Sequence, residues 1–387
     1  MTGVDQPVRI RSLDGLRAMA ILGVVCGHWL TGALITGPDG ALSIHSPLST
    51  LDWLRPSSWF FQMLGLFFLV GGYSAVLSID RSRRRGIPDT QWIRARFARL
   101  TRPVFAAAAI VAVALPFAAV AGVPPGTLRG WVVLFVQPLW FIGVYLVITA
   151  LTPYALALDR RFGFRAAIVL AAVVAVVDVV RYGPWSEGVP GWFGYLTVLP
   201  AWMFTYQMGI AWARGRLRRE HAIALLAGGV ALFVLLIGLL DYPWSIVSVP
   251  GIERSNSNPP SLLVPALAAV QTGAAFLLRD RLERILHRPR LWAAVCLLNL
   301  SAMTVFCWHQ TALVAVSQVG AWLGNIPGLT DAPTDAGWVA ARLAWFPILT
   351  LALAAIVVPL RRFEHVTNLP ELRAVRPARP SVQSRAG

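Results

Sequence analysis

The sequence predicts an all-α fold: a polytopic membrane helix bundle of about ten transmembrane helices, with the N- and C-termini cytoplasmic. Three observations carry this. The 387 residues are 57% hydrophobic and 13% charged, with a mean hydropathy of +0.63. A soluble domain carries about 25% charged residues, so this chain lacks the polar surface to cover itself in water. Apolar runs of about 20 residues, the length that crosses a bilayer, recur from one end to the other. Finally, arginine alternates between the loops that separate those runs.

The first span, 16–36, has Arg9, Arg11 and Arg17 at its cytoplasmic end. The second, 59–79, leads into a loop with eight arginines between Arg81 and Arg102. The third, 103–122, opens on Pro103, where a missing N–H costs nothing. The fourth, 138–158, is preceded by a candidate interfacial helix over 128–136. Arg160, Arg161 and Arg165 separate it from the fifth, 165–182. The sixth, 194–213, ends at four arginines between Arg214 and Arg219, and the seventh is 221–240. The eighth, 261–279, is followed by five arginines between Arg279 and Arg290. The ninth is 300–322, its apolar run starting near Leu291, and the tenth is 338–360.

With the N-terminus inside, 29 arginines fall on the cytoplasmic side. Five fall outside: Arg55, Arg129, Arg181, Arg254 and Arg342. The positive-inside rule demands this asymmetry. Losing one helix would reverse every later loop, so the pattern favours an even count. The external segments 37–58, 183–193, 241–260 and 323–337 are rich in Pro, Gly, Ser, Asn and Trp. Trp53, Trp59, Trp131, Trp185, Trp192, Trp244 and Trp338 lie near predicted helix ends. An interfacial aromatic belt accounts for them; stacking on sugar rings at an outer mouth is the alternative. Residues 1–368 form one transmembrane unit in this reading. The Pro/Arg-rich 369–387 is a cytoplasmic tail expected to be disordered.

The formal charge of +16 raises the question of nucleic acid. The arginines are confined to membrane-flanking loops, which argues against it. Cys26, Cys296 and Cys307 sit in apolar runs without ligand spacing, so neither a disulfide nor a metal is expected. The chain has no Walker loop, dinucleotide turn, HExxH or GxSxG, which leaves ATP-driven transport and the common hydrolase sites without support.

Ionisable residues inside a bilayer are costly and mark function by default. His28 lies eleven positions after Arg17. Eleven helical steps are three turns plus about 20°, so the two share a face about 16 Å apart along the axis. Asp14, one turn before Arg17, can pair with it. A buried imidazole favours the neutral form, which can accept a proton as a general base does. The structural alternative is a core histidine satisfied by a neighbouring helix. Arg96, Arg99 and Arg102 recur every three residues before Pro103. Guanidiniums on one helical side make a phosphate-binding surface, although any cytoplasmic loop collects arginine. His309, between Trp308 and Gln310, is a second intramembrane histidine. It is either a helix-packing hydrogen bonder or part of a site. Asp178, Gln62, Gln207 and Gln271 read as helix–helix contacts.

In this order these segments resemble the acyltransferase-3 family of bacterial membrane acyltransferases. Arg11-Ser-Leu-Asp14-Gly15-Leu-Arg17 looks like the family's first-helix entry, and Arg17 with His28 like its basic-x10-His motif. Phe67-Phe68-Leu-Val-Gly71-Gly72-Tyr73 is similar to its second helix. Arg96-x2-Arg99 with Pro103 resembles its RxxR motif. Pro138-Leu139-Trp140-Phe141 and Trp308-His309 are similar to its later helix motifs. One departure stands out: many members carry an acid after the Trp-Phe, where this chain has Ile142-Gly143-Val144-Tyr145-Leu146.

The resemblance implies acyl transfer from cytoplasmic acyl-CoA, acetyl-CoA above all, to a hydroxyl of a cell-envelope glycan, glycolipid or secreted small molecule. The enzyme would sit in the inner or plasma membrane. His28 would be general base, or carry a transient acyl group. Arg17 would orient the site, and Arg96, Arg99 and Arg102 would hold coenzyme A phosphates. His309 would position the acceptor or stabilise developing charge. No permanently bound cofactor is implied. The rival reading is a transporter or flippase for a polar lipid or sugar, which embedded His, Asp and Gln would also serve.

Overall fold

The computed structural model describes residues 10–184 and 186–364. The tail 369–387, together with Arg9, Trp185 and His365, lies outside the described residues. Among those described, the chain runs through α1 (Arg11–Thr31), a hairpin of β1 (Ala33–Thr36) and β2 (Leu42–His45), α2 (Pro47–Thr50), α3 (Ser57–Phe61), α4 (Leu64–Arg84) and α5 (Asp89–Val120). It continues through α6 (Pro125–Val136), α7 (Trp140–Ala150), α8 (Thr152–Phe162), α9 (Arg165–Tyr182), α10 (Val198–Ala213) and α11 (Arg219–Leu239). The last helices are α12 (Leu263–Ile285), α13 (Pro289–Leu300), α14 (Ala302–Leu323) and α15 (Ala336–Leu360).

Helix occupies every predicted span position. Six stretches are long and apolar enough to cross a membrane, or eight when two bent pairs each count as one. The bends are 110° between α8 and α9 and 81° between α13 and α14. The other two predicted positions hold α10, which has 16 residues, and α12, which ends in the charged Arg279–Glu283 turn.

Several predicted boundaries change. The stretch 138–158 is not one helix. α7 continues α6 through a tight turn at Gln137–Leu139, and α8 starts afresh at Thr152. Pro153 explains the break, because a residue without N–H belongs in the first turn of a new helix. Residues 33–45, read as helix end and loop, form an antiparallel hairpin pairing Ala33 with His45 and Thr36 with Leu42. Pro103 lies inside α5 rather than at its start. α5 begins instead at Asp89, whose carboxylate accepts from Arg83 Nε and Nη2 at 2.9 and 2.7 Å. That fork sets the α4–α5 turn. Pro103 then removes one hydrogen bond from a helix held elsewhere, so the Arg96–Arg102 stretch is helix, not loop.

α1 runs through the middle of the bundle. Its span is 67% buried, against 17% for α5, α11 and α15. Those outer helices turn Phe105, Phe117, Val234 and Leu351 outward, as apolar residues facing lipid do. Close helix contacts rest on small residues. A Cβ on Gly209 of α10 would run into the Leu69 carbonyl of α4, and one on Gly273 of α12 into the Ala222 carbonyl of α11.

Candidate active site

Both ends of α1 are fixed by side chains from other helices. At its start, Glu283 of α12 accepts from Ser12 N at 2.7 Å and Arg11 N at 3.3 Å. A carboxylate there satisfies N–H groups that the helix cannot, and suits the positive end of its dipole. At its end, Gly32 N donates to the His28 carbonyl and Arg342 Nη2 donates to the Gly32 carbonyl at 3.0 Å. Held this way, α1 presents Arg17 and His28. Because it starts before the predicted span and stops at Thr31, His28 falls in its last turn, not midway along it. Arg17 Nη2 donates to Ser74 Oγ of α4 at 3.3 Å.

The structure brings the two predicted histidines into contact. His28 Nδ1 lies 2.8 Å from His309 Nε2. His309 Nδ1 lies 2.7 Å from the Phe306 carbonyl. A carbonyl only accepts, so His309 carries its proton on Nδ1. In the neutral ring Nε2 is then an acceptor, and His28 must donate to it from Nδ1. That leaves the lone pair of His28 on Nε2. His309 is fully buried and His28 partly accessible. Trp29 Nε1 donates to the His309 carbonyl at 2.9 Å, tying α1 to α14 beside the pair. Gln310 Nε2 lies 3.2 Å from His28 Nδ1, and its Oε1 has no partner among the described residues. Turned over, that amide would offer its oxygen to the same proton. A mobile surface histidine has no such tautomer lock; a histidine poised to take a proton needs one.

Towards the start of α1, the arginines converge. Arg96 and Arg99 act on each other electrostatically, and both feel Arg17. The phenol of Tyr145 acts on both, Tyr206 on Arg96, and the Glu364 carboxylate on Arg99. Arg96 also stacks over the Trp92 ring at 5.2 Å. Three cations with one carboxylate nearby make a site for a polyanion. Arg102, a further 60° or so round α5 from Arg99, is exposed.

Tyr145, Tyr206 and Glu364 carried no signal in the sequence reading. Tyr145 falls in the segment where an acid was expected, and it reaches the arginines because Gly71 leaves room. A Cβ on Gly71 would sit 2.6 Å from the Tyr145 hydroxyl. Tyr206 shares a hydrogen bond of 2.7 Å with Thr152 Oγ1. Glu364 accepts from Met303 N, Thr304 N and Thr304 Oγ1 at 3.1, 3.2 and 2.8 Å. It thereby caps α14, the helix that carries His309 and Gln310. Its distance in sequence from every other member hid it.

The remaining embedded polar residues stand apart. Gln271 Nε2 donates to the Gln62 carbonyl at 2.7 Å and Gln207 Nε2 to the Ala155 carbonyl at 3.3 Å; both join helices, as read. Asp178 accepts from Tyr242 Oη at 3.0 Å and Leu262 N at 2.6 Å, with Arg181 Nη1 at 3.8 Å. It ties α9 to the 241–260 loop and to the start of α12. Asp178→Ala is therefore expected to cost about 1–3 kcal/mol of stability, the penalty for stranding buried donors, with the residual folded fraction fully active. A normal melting midpoint with lost activity would refute that assignment.

A family model described as an acyltransferase domain matches residues 10–362, nearly the whole chain. The chain belongs to the acyltransferase-3 family. Comparison with curated proteins and with solved structures finds no match. The match runs from the first described residue to just short of the α14 cap at Glu364, so it covers both the histidine pair and the arginines Arg17, Arg96 and Arg99. Membership in the acyltransferase-3 family makes this a multi-pass membrane acyltransferase, and sets the transport reading aside.

Proposed function

We propose that this acyltransferase moves an acyl group, acetyl above all, from acyl-CoA to a hydroxyl of a cell-envelope glycan, glycolipid or secreted small molecule. In this reading ten helices span the inner or plasma membrane with both termini cytoplasmic, as the arginine asymmetry of the loops requires. Arg17, Arg96 and Arg99 then lie on the cytoplasmic side and hold the coenzyme A phosphates by charge-assisted bonds. Arg102 adds charge at the edge of that surface. The acyl-pantetheine arm runs along α1 towards His28, about 16 Å further on.

The observation that carries the reading is the His28 Nδ1–His309 Nε2 contact, which leaves the lone pair of His28 on Nε2. That nitrogen takes the proton of the acceptor hydroxyl as that oxygen attacks the thioester carbonyl. The C–S bond breaks, the new ester forms, and the proton returns to the leaving sulfur. An acyl group resting on Nε2 between two transfers would use the same lone pair. His309 fixes the tautomer and ring orientation of His28, so its role is to position the base rather than the acceptor.

Two tests follow. Wild-type protein in nanodiscs is expected to bind radiolabelled acetyl-CoA saturably; absence of binding to any acyl-CoA would sink the proposal. His309→Ala frees His28 to adopt either tautomer. Loss of an orienting partner of this kind typically costs about 10–100-fold, expected here in kcat with acetyl-CoA binding unchanged. Undiminished turnover would remove His309 from the site.

A further inference from the structure

The half of the bundle beyond His28, opposite the arginine cluster, contains a cation that neither the family motifs nor the proposed donor site uses. Arg342 of α15 is fully buried. Its Nη2 donates to Gly32 O and its guanidinium lies 4.8 Å from the Trp338 ring centroid. Nε and Nη1 have no hydrogen-bond partner among the described residues. That leaves one N–H on Nε and two on Nη1 unused, in a place where an unused charged donor is costly. Asp331 acts on Arg342 electrostatically, yet its Oδ1 accepts from Gly328 N at 2.8 Å.

The surroundings repeat the pattern. Leu313 of α14 faces Gly32, and Gly320 faces Leu329 and Thr330. Ser317 lies between them on the same face of α14 and is fully buried with Oγ unpaired. Thr36 of β1 donates its N–H to Thr330 O at 3.0 Å, while its buried Oγ1 is also unpaired. Unused donors from α14 and α15 thus flank Gly32, which is one turn, about 6 Å, beyond His28; Thr36 stands four strand residues, about 13 Å, further out. Structural packing alone calls for the single bond to Gly32 O. Unused N–H and O–H groups of this kind match an oxyanion.

We propose that Arg342, with the hydroxyl of Ser317 one turn along α14 from Leu313, forms an oxyanion subsite that takes a carboxylate or phosphate group of the acceptor while His28 engages its hydroxyl. The subsite rests on the reading of His28 as the group that activates the acceptor. It makes acidic sugars or phosphorylated glycans the preferred substrate class over neutral ones.

The test compares glucose, glucuronate and glucose 6-phosphate, which differ at one carbon, as ligands of the full chain in nanodiscs, with acetyl-CoA binding measured in parallel. Wild type is expected to bind at least one acidic sugar about tenfold or more tightly than glucose, the value of a charge-assisted bond. Which acid binds distinguishes carboxylate from phosphate. Arg342→Gln should abolish that preference. Because it also removes a helix cap, Ser317→Ala serves as the second variant: it should weaken acidic-sugar binding several-fold at an unchanged melting midpoint. Equal binding of the three sugars, or none, alongside intact acetyl-CoA binding would overturn the subsite and leave the transferase standing. Acid-selective binding without acetyl-CoA binding would support the subsite as an anion site and sink the acyl-CoA donor reading.

Discussion

His28→Ala is expected to lower kcat for acyl transfer by about 10²–10⁴-fold, the usual contribution of a positioned general base, with acyl-CoA still bound. The size follows from what is lost. Nε2 is the one free lone pair in the His28–His309 pair, since His28 Nδ1 donates to His309 Nε2 at 2.8 Å and His309 Nδ1 donates to Phe306 O. Removing His28 leaves the lone pair of His309 Nε2 without its donor, but His309 is fully buried, out of reach of an acceptor hydroxyl. His309 therefore cannot substitute for it. His28→Asn, which keeps a polar group of similar reach but no basic nitrogen, should be as inactive as alanine. The check is the initial rate of coenzyme A release in nanodiscs. Activity in His28→Asn near that of wild type would show that His28 binds rather than takes a proton.

The second large effect concerns the donor. Arg96→Ala and Arg99→Ala should each weaken acetyl-CoA binding by about 10–100-fold, one charge-assisted contact apiece. The loss should be confined to the phosphates: acetyl-pantetheine, which lacks them, should bind wild type and variants alike. The same substitutions should not lower the melting midpoint of the ligand-free protein. Arg17, Arg96 and Arg99 act on one another as like charges, so the fold gains nothing from assembling them. Equilibrium binding with both ligands, alongside thermal unfolding, separates the outcomes. An equal loss of acetyl-pantetheine binding would mean that the arginines shape the bundle instead of holding phosphate.

Packing and burial explain which parts of this arrangement could be read from sequence. Arg17 and His28 were legible because both lie on one uninterrupted helix, where periodicity alone puts them on a face. His309 was legible as an intramembrane histidine, but its partner was not. Contact between α1 and α14 depends on packing that joins residues 281 apart in sequence. Arg96 and Arg99 stood out by spacing, although the helix holding them starts at Asp89 because of the Arg83 fork, a feature easily mistaken for loop charge. Tyr145 was hidden for another reason. A tyrosine in an apolar run looks like core, and only the space at Gly71 turns its hydroxyl towards the arginines. The bends at α8–α9 and α13–α14 were hidden because hydropathy reports length and not direction. The hairpin at 33–45 is too short to carry a clear period.

The central claim is that His28 and His309 act as one unit in which His309 has no purpose except to orient His28. A double-mutant cycle on kcat tests this most directly: wild type, His28→Ala, His309→Ala and the double variant, assayed together for coenzyme A release. Groups that act as a unit are strongly non-additive. His309→Ala should slow the wild type but cause no further loss once His28 is alanine. If the two losses multiply in the double variant, the histidines work independently, and the account of His28 as a base held in one tautomer by His309 is wrong.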